Sequence, residues 1–361
     1  MSMRHSGHFA RSKARVSRWQ NLLRLMPVAL MALPLASAHG QSVAEFYKGR
    51  QVSLIVSSSP GGGYDATARL VARHLPKHLA GAPNVVVKNM PGAGGILAPN
   101  FVHAKGERDG SLLALMQNTI PFEPLFGNKR ATFDALKLNW LGSPNYETGV
   151  LMVWHEAKPR SIDDLRQQEI TIAVPAHAST PAFNTRMLIH LLGLKLKIVP
   201  GYGSATASVM AMEKGEVDSF ANFYNSVIQA RPTWIKEKKT FLLLQWGPHK
   251  EKSIASVPYL PELLKDPAQL ALARAGSASL ALGRPFMMPP GVPADRVQAM
   301  RQAMFATFND PEFVKDAHKI GFTDLAPQTG EQIERIIREV YASPPEVIKG
   351  LQMFASGDGM K

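Results

Sequence analysis

The 361-residue chain contains no cysteine. That excludes disulfides, thiolate metal ligands, cysteine nucleophiles and a lipid anchor attached through cysteine. Familiar catalytic signatures are absent as well. There is no G-x-S-x-G elbow and no H-E-x-x-H pair of zinc ligands, and His155-Glu156 stands alone. His74-x-x-x-His78 has the spacing of a metal-binding pair, but Pro76 interrupts it and no third ligand lies nearby in sequence. Beyond the first forty residues no run is apolar and long enough for a membrane-spanning helix, which needs about 20 residues. No basic stripe interleaved with aromatics marks a nucleic-acid surface.

What is present is the composition of a globular protein, 45% hydrophobic and 19% charged, of a length that suggests about two domains. The 28 glycines and 27 prolines follow no period and read as turns. The N-terminus has the three parts of a signal peptide. Arg4, Arg11, Lys13, Arg15, Arg18 and Arg24 form a basic region without an acid, residues 25–35 are apolar, and Ala36-Ser37-Ala38 offers a small-x-small cleavage pattern. Cleavage is expected near Ala38 or Gly40. Six of the 41 basic residues precede the cut, which leaves 35 against 28 acidic and a net charge of +7. That mild excess is compatible with an anionic ligand and equally with plain solubility.

Along the rest of the chain, strand and helix patterns alternate. Residues 52–57 read as a strand. Tyr64, Ala68, Val71, Leu75 and Leu79 then recur on one helical face, which Pro76 should kink or end. Val85-Val86-Val87 and residues 111–116 read as further strands, with a helix ending near Lys105 between them. A second series follows Trp140: strands at 150–154, 170–174 and 196–199, near 218–223 and at 241–245, with helices capped by Ser161 and by Ser179 or Thr180. From Gly291 onward the chain reads as helical, without strands of its own, and is expected to pack back on the first sheet. The alternation predicts an α/β fold with parallel sheets.

The loop Pro60-Gly61-Gly62-Gly63-Tyr64-Asp65 lies between a strand and a helix. Glycines tolerate positive φ, so consecutive N–H groups can face one concavity, and a helix N-terminus adds partial positive charge there. Such a loop can hold a carboxylate or phosphate; it can also be a tight structural turn. It is not a P-loop, because no lysine follows. It also lacks the acid that a dinucleotide site needs about 20 positions on. Asp65 could touch a ligand, although an Asp in a first helical turn more often caps N–H groups.

Taken in order, these segments resemble the Bug-type solute-binding proteins, the receptors of tripartite tricarboxylate transporters. The resemblance rests on Lys48-Gly49-Arg50, the Pro60–Asp65 loop, Pro91-Gly92-Ala93-Gly94-Gly95 and Asp109-Gly110. Later echoes are Tyr202-Gly203, Gly215-Glu216-Val217-Asp218 and Pro289-Pro290-Gly291-Val292-Pro293. It implies a two-lobed, type II periplasmic-binding-protein fold with a ligand cleft between α/β lobes. Lobe 1 would comprise 39–142 and 282–361, and lobe 2 would comprise 143–281, after a signal peptide over 1–38.

The resemblance also implies the site. From the first lobe it takes Gly61, Gly62, Tyr64, Asp65, Gln117 and Asn118. From the second it takes Ala178, Ser179, Thr180 and Tyr202, with Asn222 and Tyr224 behind them. Helix starts at Tyr64 and Pro181 would face the ligand's charged ends. The chain departs from the family at Tyr64, at Lys88-Asn89-Met90 and at residues 176–181. Tyr64, His177 and Tyr224 could favour an aromatic or larger acid. The expected function is capture of a small organic carboxylate in the periplasm, by a monomer without cofactor or metal, for a tripartite-type permease. The alternatives are a carboxylate sensor for a membrane signalling partner and an exported enzyme acting on an organic acid.

Overall fold

The apolar run in residues 52–56 forms the second strand from one edge of a mixed sheet, with all but one of its residues buried. The computed structural model describes residues 41–358 except 175, 176, 178, 203, 204, 323 and 324, and within helices and strands it leaves out the side chains of 205, 206, 222, 226, 229 and 230. The segment read as a signal peptide therefore lies outside the described residues. The described strands are β1 (Gln51–Val56), β2 (Asn84–Asn89), β3 (Leu112–Leu115), β4 (Asn139–Ser143), β5 (Gly149–Trp154), β6 (Ile170–Val174), β7 (Leu196–Pro200), β8 (Ser219–Phe223), β9 (Thr240–Trp246), β10 (Phe286–Met288) and β11 (Gln328–Thr329). The described helices are α1 (Val43–Tyr47), α2 (Gly63–His74), α3 (Leu97–Lys105), α4 (Ile162–Gln167), α5 (Thr180–Leu192), α6 (Ala205–Glu213), α7 (Tyr224–Ala230), α8 (Leu260–Leu263), α9 (Pro267–Leu282), α10 (Ala294–Phe308), α11 (Pro311–Lys319), α12 (Gly330–Tyr341) and α13 (Pro345–Ser356).

Two sheets result, ordered β11-β4-β10-β3-β1-β2 and β7-β6-β8-β5-β9. Parallel pairing holds where consecutive βα units wind: β1 with β2 and β3, and β6 with β7 and β8. The expectation of wholly parallel sheets is corrected at the strands flanking the crossings. β10 runs antiparallel to β3 and β4, and β5 runs antiparallel to β8 and β9. The chain leaves the first sheet after β4 and returns before β10, so these strands enter from the opposite end. A second correction concerns the C-terminal region: the two residues of β11 add to β4 at Gly142 and Ser143.

α10 and α12 pack on β4, as expected for helices returning to the first sheet, whereas α13 packs on α5 and α9. Pro76 ends α2 at His74, and the chain continues as a 3-10 turn over Leu75–Lys77. His74 and His78 do not converge on a common point. They face Asp316 (3.1 Å) and Asp310 (2.8 Å) at α11. No helix among the described residues is long and apolar enough to cross a membrane.

The two connectors between the sheets, 144–148 and 283–285, touch each other. Glu147 N donates to Leu280 O (2.8 Å), and Arg284 N donates to the Ser143 hydroxyl (2.9 Å). Gly283 has φ +57°, and a Cβ there would lie 2.0 Å from Asn145 O. Arg284 is buried within 3.6 Å of the equally buried Glu147. It donates through Nη1 to Gly63 O (3.1 Å) and to the Thr67 hydroxyl, so the connector is tied to the first turn of α2.

The loop before α2 is held by Asp65. One carboxylate oxygen accepts from Gly61 N (2.9 Å) and Arg69 Nε (2.9 Å), and the other accepts from Asn89 Nδ2 (2.9 Å). Burial alone would raise this carboxyl, but the hydrogen bonds from Arg69, Gly61 and Asn89 outweigh it and hold the pKa at about 2.

Gly283→Ala should destabilise by about 2 kcal/mol or more, lowering Tm by about 4 °C or more, because it meets both a backbone clash and an unfavourable φ. Gly193→Asn, at φ +67° with open space around it, should leave Tm nearly unchanged. The folded pKa of Asp65 lies below its unfolded value near 3.8, so its stabilising contribution is complete above that value and lost as pH falls towards 2. In thermal melts, the Tm difference between the wild type and Asp65→Asn should therefore shrink as pH drops from about 4 to about 2.

Candidate functional site

The C-terminal ends of β1 and β3 lie side by side, with Val56 opposite Leu115. The loops that leave them are stitched together. Gln117 N donates to the Ser57 hydroxyl (3.1 Å), and Asn118 N donates to the Tyr64 hydroxyl (3.1 Å). Burial, followed by the nearby Glu147 carboxylate, pushes the Tyr64 phenol up to about 12 against the opposing effects of the Asn118 hydrogen bond and Arg284. Tyr64 thus remains a neutral acceptor at any ordinary pH and supports the 117–118 backbone. Asn118 is buried, and its Nδ2 has no hydrogen-bond partner.

Facing these loops is the start of α5. Ser179 caps it, accepting from Ala182 N (3.4 Å), and Pro181 occupies the first turn, where a missing N–H costs nothing. Within the first turn the Thr180 N–H has no intrahelical acceptor, and the helix dipole makes the end partially positive. The Thr180 hydroxyl donates to the Thr119 hydroxyl (3.4 Å) and joins the second sheet's α5 to the first sheet's 117–119 loop.

Between them lies a cavity of about 550 Å³, large enough for a small metabolite. Gln117, Thr119, Ser179 and Thr180 supply polar groups. Phe126 and Phe183 stack at 5.2 Å and form an apolar wall. Glu123 and Asn128 line it from the turn after β3, and Gly94 lines it from the Pro91-Gly92-Ala93-Gly94-Gly95 segment. Burial raises the Glu123 carboxyl, and a hydrogen bond from Asn128 Nδ2 (2.8 Å) offsets this only in part. No Lys, Arg or His is among the described lining residues.

The cavity brings together three of the residues expected from sequence, namely Gln117, Ser179 and Thr180, with Asn118 adjoining. Gly61 and Gly62 sit on an exposed loop outside its lining, and a Cβ at either would enter open space. Tyr64 and Asp65 are engaged in holding the loops. Ala178 lies outside the described residues. Tyr202 packs on the second lobe's core with its hydroxyl 3.4 Å from Glu216, and Tyr224 packs there with its hydroxyl 3.5 Å from Ser253. The Asn222 backbone pairs with Val150 in β8, and its side chain is outside the description. His177 lines a different cavity of about 540 Å³, beside Arg186 and Lys195.

Glu123, Phe126, Asn128, Thr119 and Phe183 carried no sequence signal. They fall in a motif-free turn or on a helix face that reads as core. Gly94 was visible within its glycine run.

The family model for the tripartite tricarboxylate transporter family receptor matches residues 67–353. A UPF0065 protein encoded in the gbd 5' region of Cupriavidus necator is 28% identical over 246 residues, covering 65% of this chain and 71% of that protein. A TctC solute-binding protein from Polaromonas has the same fold, with a TM-score of 0.65 at 20% identity, covering 84% of this chain and 98% of its own. The R. palustris protein Rpa4515, solved with adipate, superposes with a TM-score of 0.62 at 19% identity, covering 84% and 97%. With the family model spanning most of its length and the two-lobed fold shared, this chain belongs to the tripartite tricarboxylate transporter receptor family, whose members are binding receptors and not enzymes.

Proposed function

We propose that the chain is exported to the periplasm, loses its signal peptide near Ala38 or Gly40, and captures a small organic carboxylate between its lobes for a tripartite-type permease. The observation that carries this reading is the cavity at the junction of the two sheets, walled on one side by the N-terminus of α5. A carboxylate placed there would meet the Thr180 N–H at the positive end of α5, the Gln117 amide and the Ser179 and Thr180 hydroxyls without a cationic side chain. The relative from R. palustris that was solved with adipate has the same fold.

Movement of the lobes would turn on the connectors at 144–148 and 283–285, which keeps the lobe boundaries near 143 and 282. Closure would add Asn118 and the Gly62 N–H, with Gly61 beside it, to the ligand's surroundings. Tyr202, Asn222 and Tyr224 are more remote members of the same proposed surface.

A thermal-shift panel of organic acids on the mature protein tests this. At least one small carboxylate should raise Tm at micromolar concentration. Thr180→Phe, which fills the cavity at the first turn of α5, should remove that shift while the ligand-free Tm stays within a few degrees. A shift that survives Thr180→Phe unchanged, or no shift with any acid, would sink the proposal.

A further inference from the structure

The charge inside the cavity constrains which carboxylate fits. Glu123 is the one charged side chain among the described lining residues. Its place is fixed by the turn that carries it. Glu123 N donates to Ile120 O (3.1 Å), Phe126 N to Phe122 O (2.9 Å), and Asn128 N returns to Glu123 O (3.1 Å). Its Oε2 is held by Asn128 Nδ2 (2.8 Å), the one side-chain hydrogen bond described for this carboxylate. A partly buried carboxylate with few donors is costly unless a ligand or solvent supplies more.

We propose, building on the carboxylate-receptor reading above, that the ligand is a zwitterion: a small aminocarboxylic acid whose ammonium group sits on Glu123 while its carboxylate sits at the start of α5. The ammonium would add donors and an opposite charge to a carboxylate held by a single side-chain hydrogen bond. The stacked rings of Phe126 and Phe183 offer an apolar wall for the carbon skeleton and polarisable faces for the cation. A dicarboxylate of the same length would place its second negative charge near Glu123, in surroundings that screen charge less than bulk water. The site therefore selects by repulsion as well as by attraction.

One other chemistry would use the same carboxyl. Burial raises Glu123, and a protonated Glu123 could donate to the second carboxylate of a diacid. The two arrangements respond oppositely to Glu123→Gln, because glutamine keeps a donor and loses the charge.

Isothermal titration of the mature protein with matched five-carbon probes separates them: 5-aminopentanoate and norvaline as zwitterions, glutarate as the diacid, and valerate as the monoacid. At pH 7.5 at least one zwitterion should bind 10-fold or more tighter than glutarate and valerate. Glu123→Gln should weaken that zwitterion at least 10-fold and leave glutarate unchanged or tighter. A circular-dichroism melt of the variant within a few degrees of the wild type confirms that folding is intact. Tighter binding of glutarate by the wild type, kept by Glu123→Gln, overturns the zwitterion assignment alone and leaves the carboxylate-receptor reading standing. Failure of all four probes and of their three- to six-carbon homologues overturns both.

Discussion

The buried guanidinium of Arg284 is the constraint around which the two halves are arranged. It stands on the returning connector, beside Glu147 on the outgoing one, and reaches forward to Gly63 O and Thr67 in the first turn of α2. The ring of Phe322 lies 4.3 Å beneath its charge. A buried cation needs a carboxylate and hydrogen-bond acceptors to be tolerated, and here they come from the outgoing connector and from the first turn of α2. Connector geometry and the position of the α2 loop are therefore not independent. A rotation at the connectors changes what Arg284 can hold at the glycine loop, and the Tyr64 hydroxyl passes the constraint to the backbone of Asn118.

That arrangement gives the glycine loop a different part from the one its sequence suggests. Three consecutive glycines before a helix invite an anion-cradle reading. The immediate use of the Gly61 N–H is to bind Asp65, and Asp65 in turn gathers Arg69 and Asn89. The family match begins at Thr67, beyond this loop. The glycine that lines the cavity belongs to the second run, at Gly94.

The parts legible in the sequence were those specified by local chemistry. The β1–loop–α2 unit, the Pro76 break, and the α5 start with its serine cap and early proline follow from residues within a few positions of one another. β4 and β10 were not legible, because three to five residues between prolines and loops become strands only through their partners. Glu123 and Phe126 were hidden for a related reason. They lie in a turn whose residues match no motif, and they acquire meaning only when α5, some sixty positions away, closes the other side of the cavity. Gln117 was reached through the family resemblance alone, whereas Ser179 and Thr180 also sit at a helix start that its cap and early proline mark.

The hydrogen bond between Thr119 and Thr180 bears on how firmly the facing loops are joined. A neutral hydroxyl pair at 3.4 Å contributes about 1 kcal/mol at most. It can set the register of the facing loops but cannot act as a lock. So weak a bond lets the two facing loops part at this point at little cost.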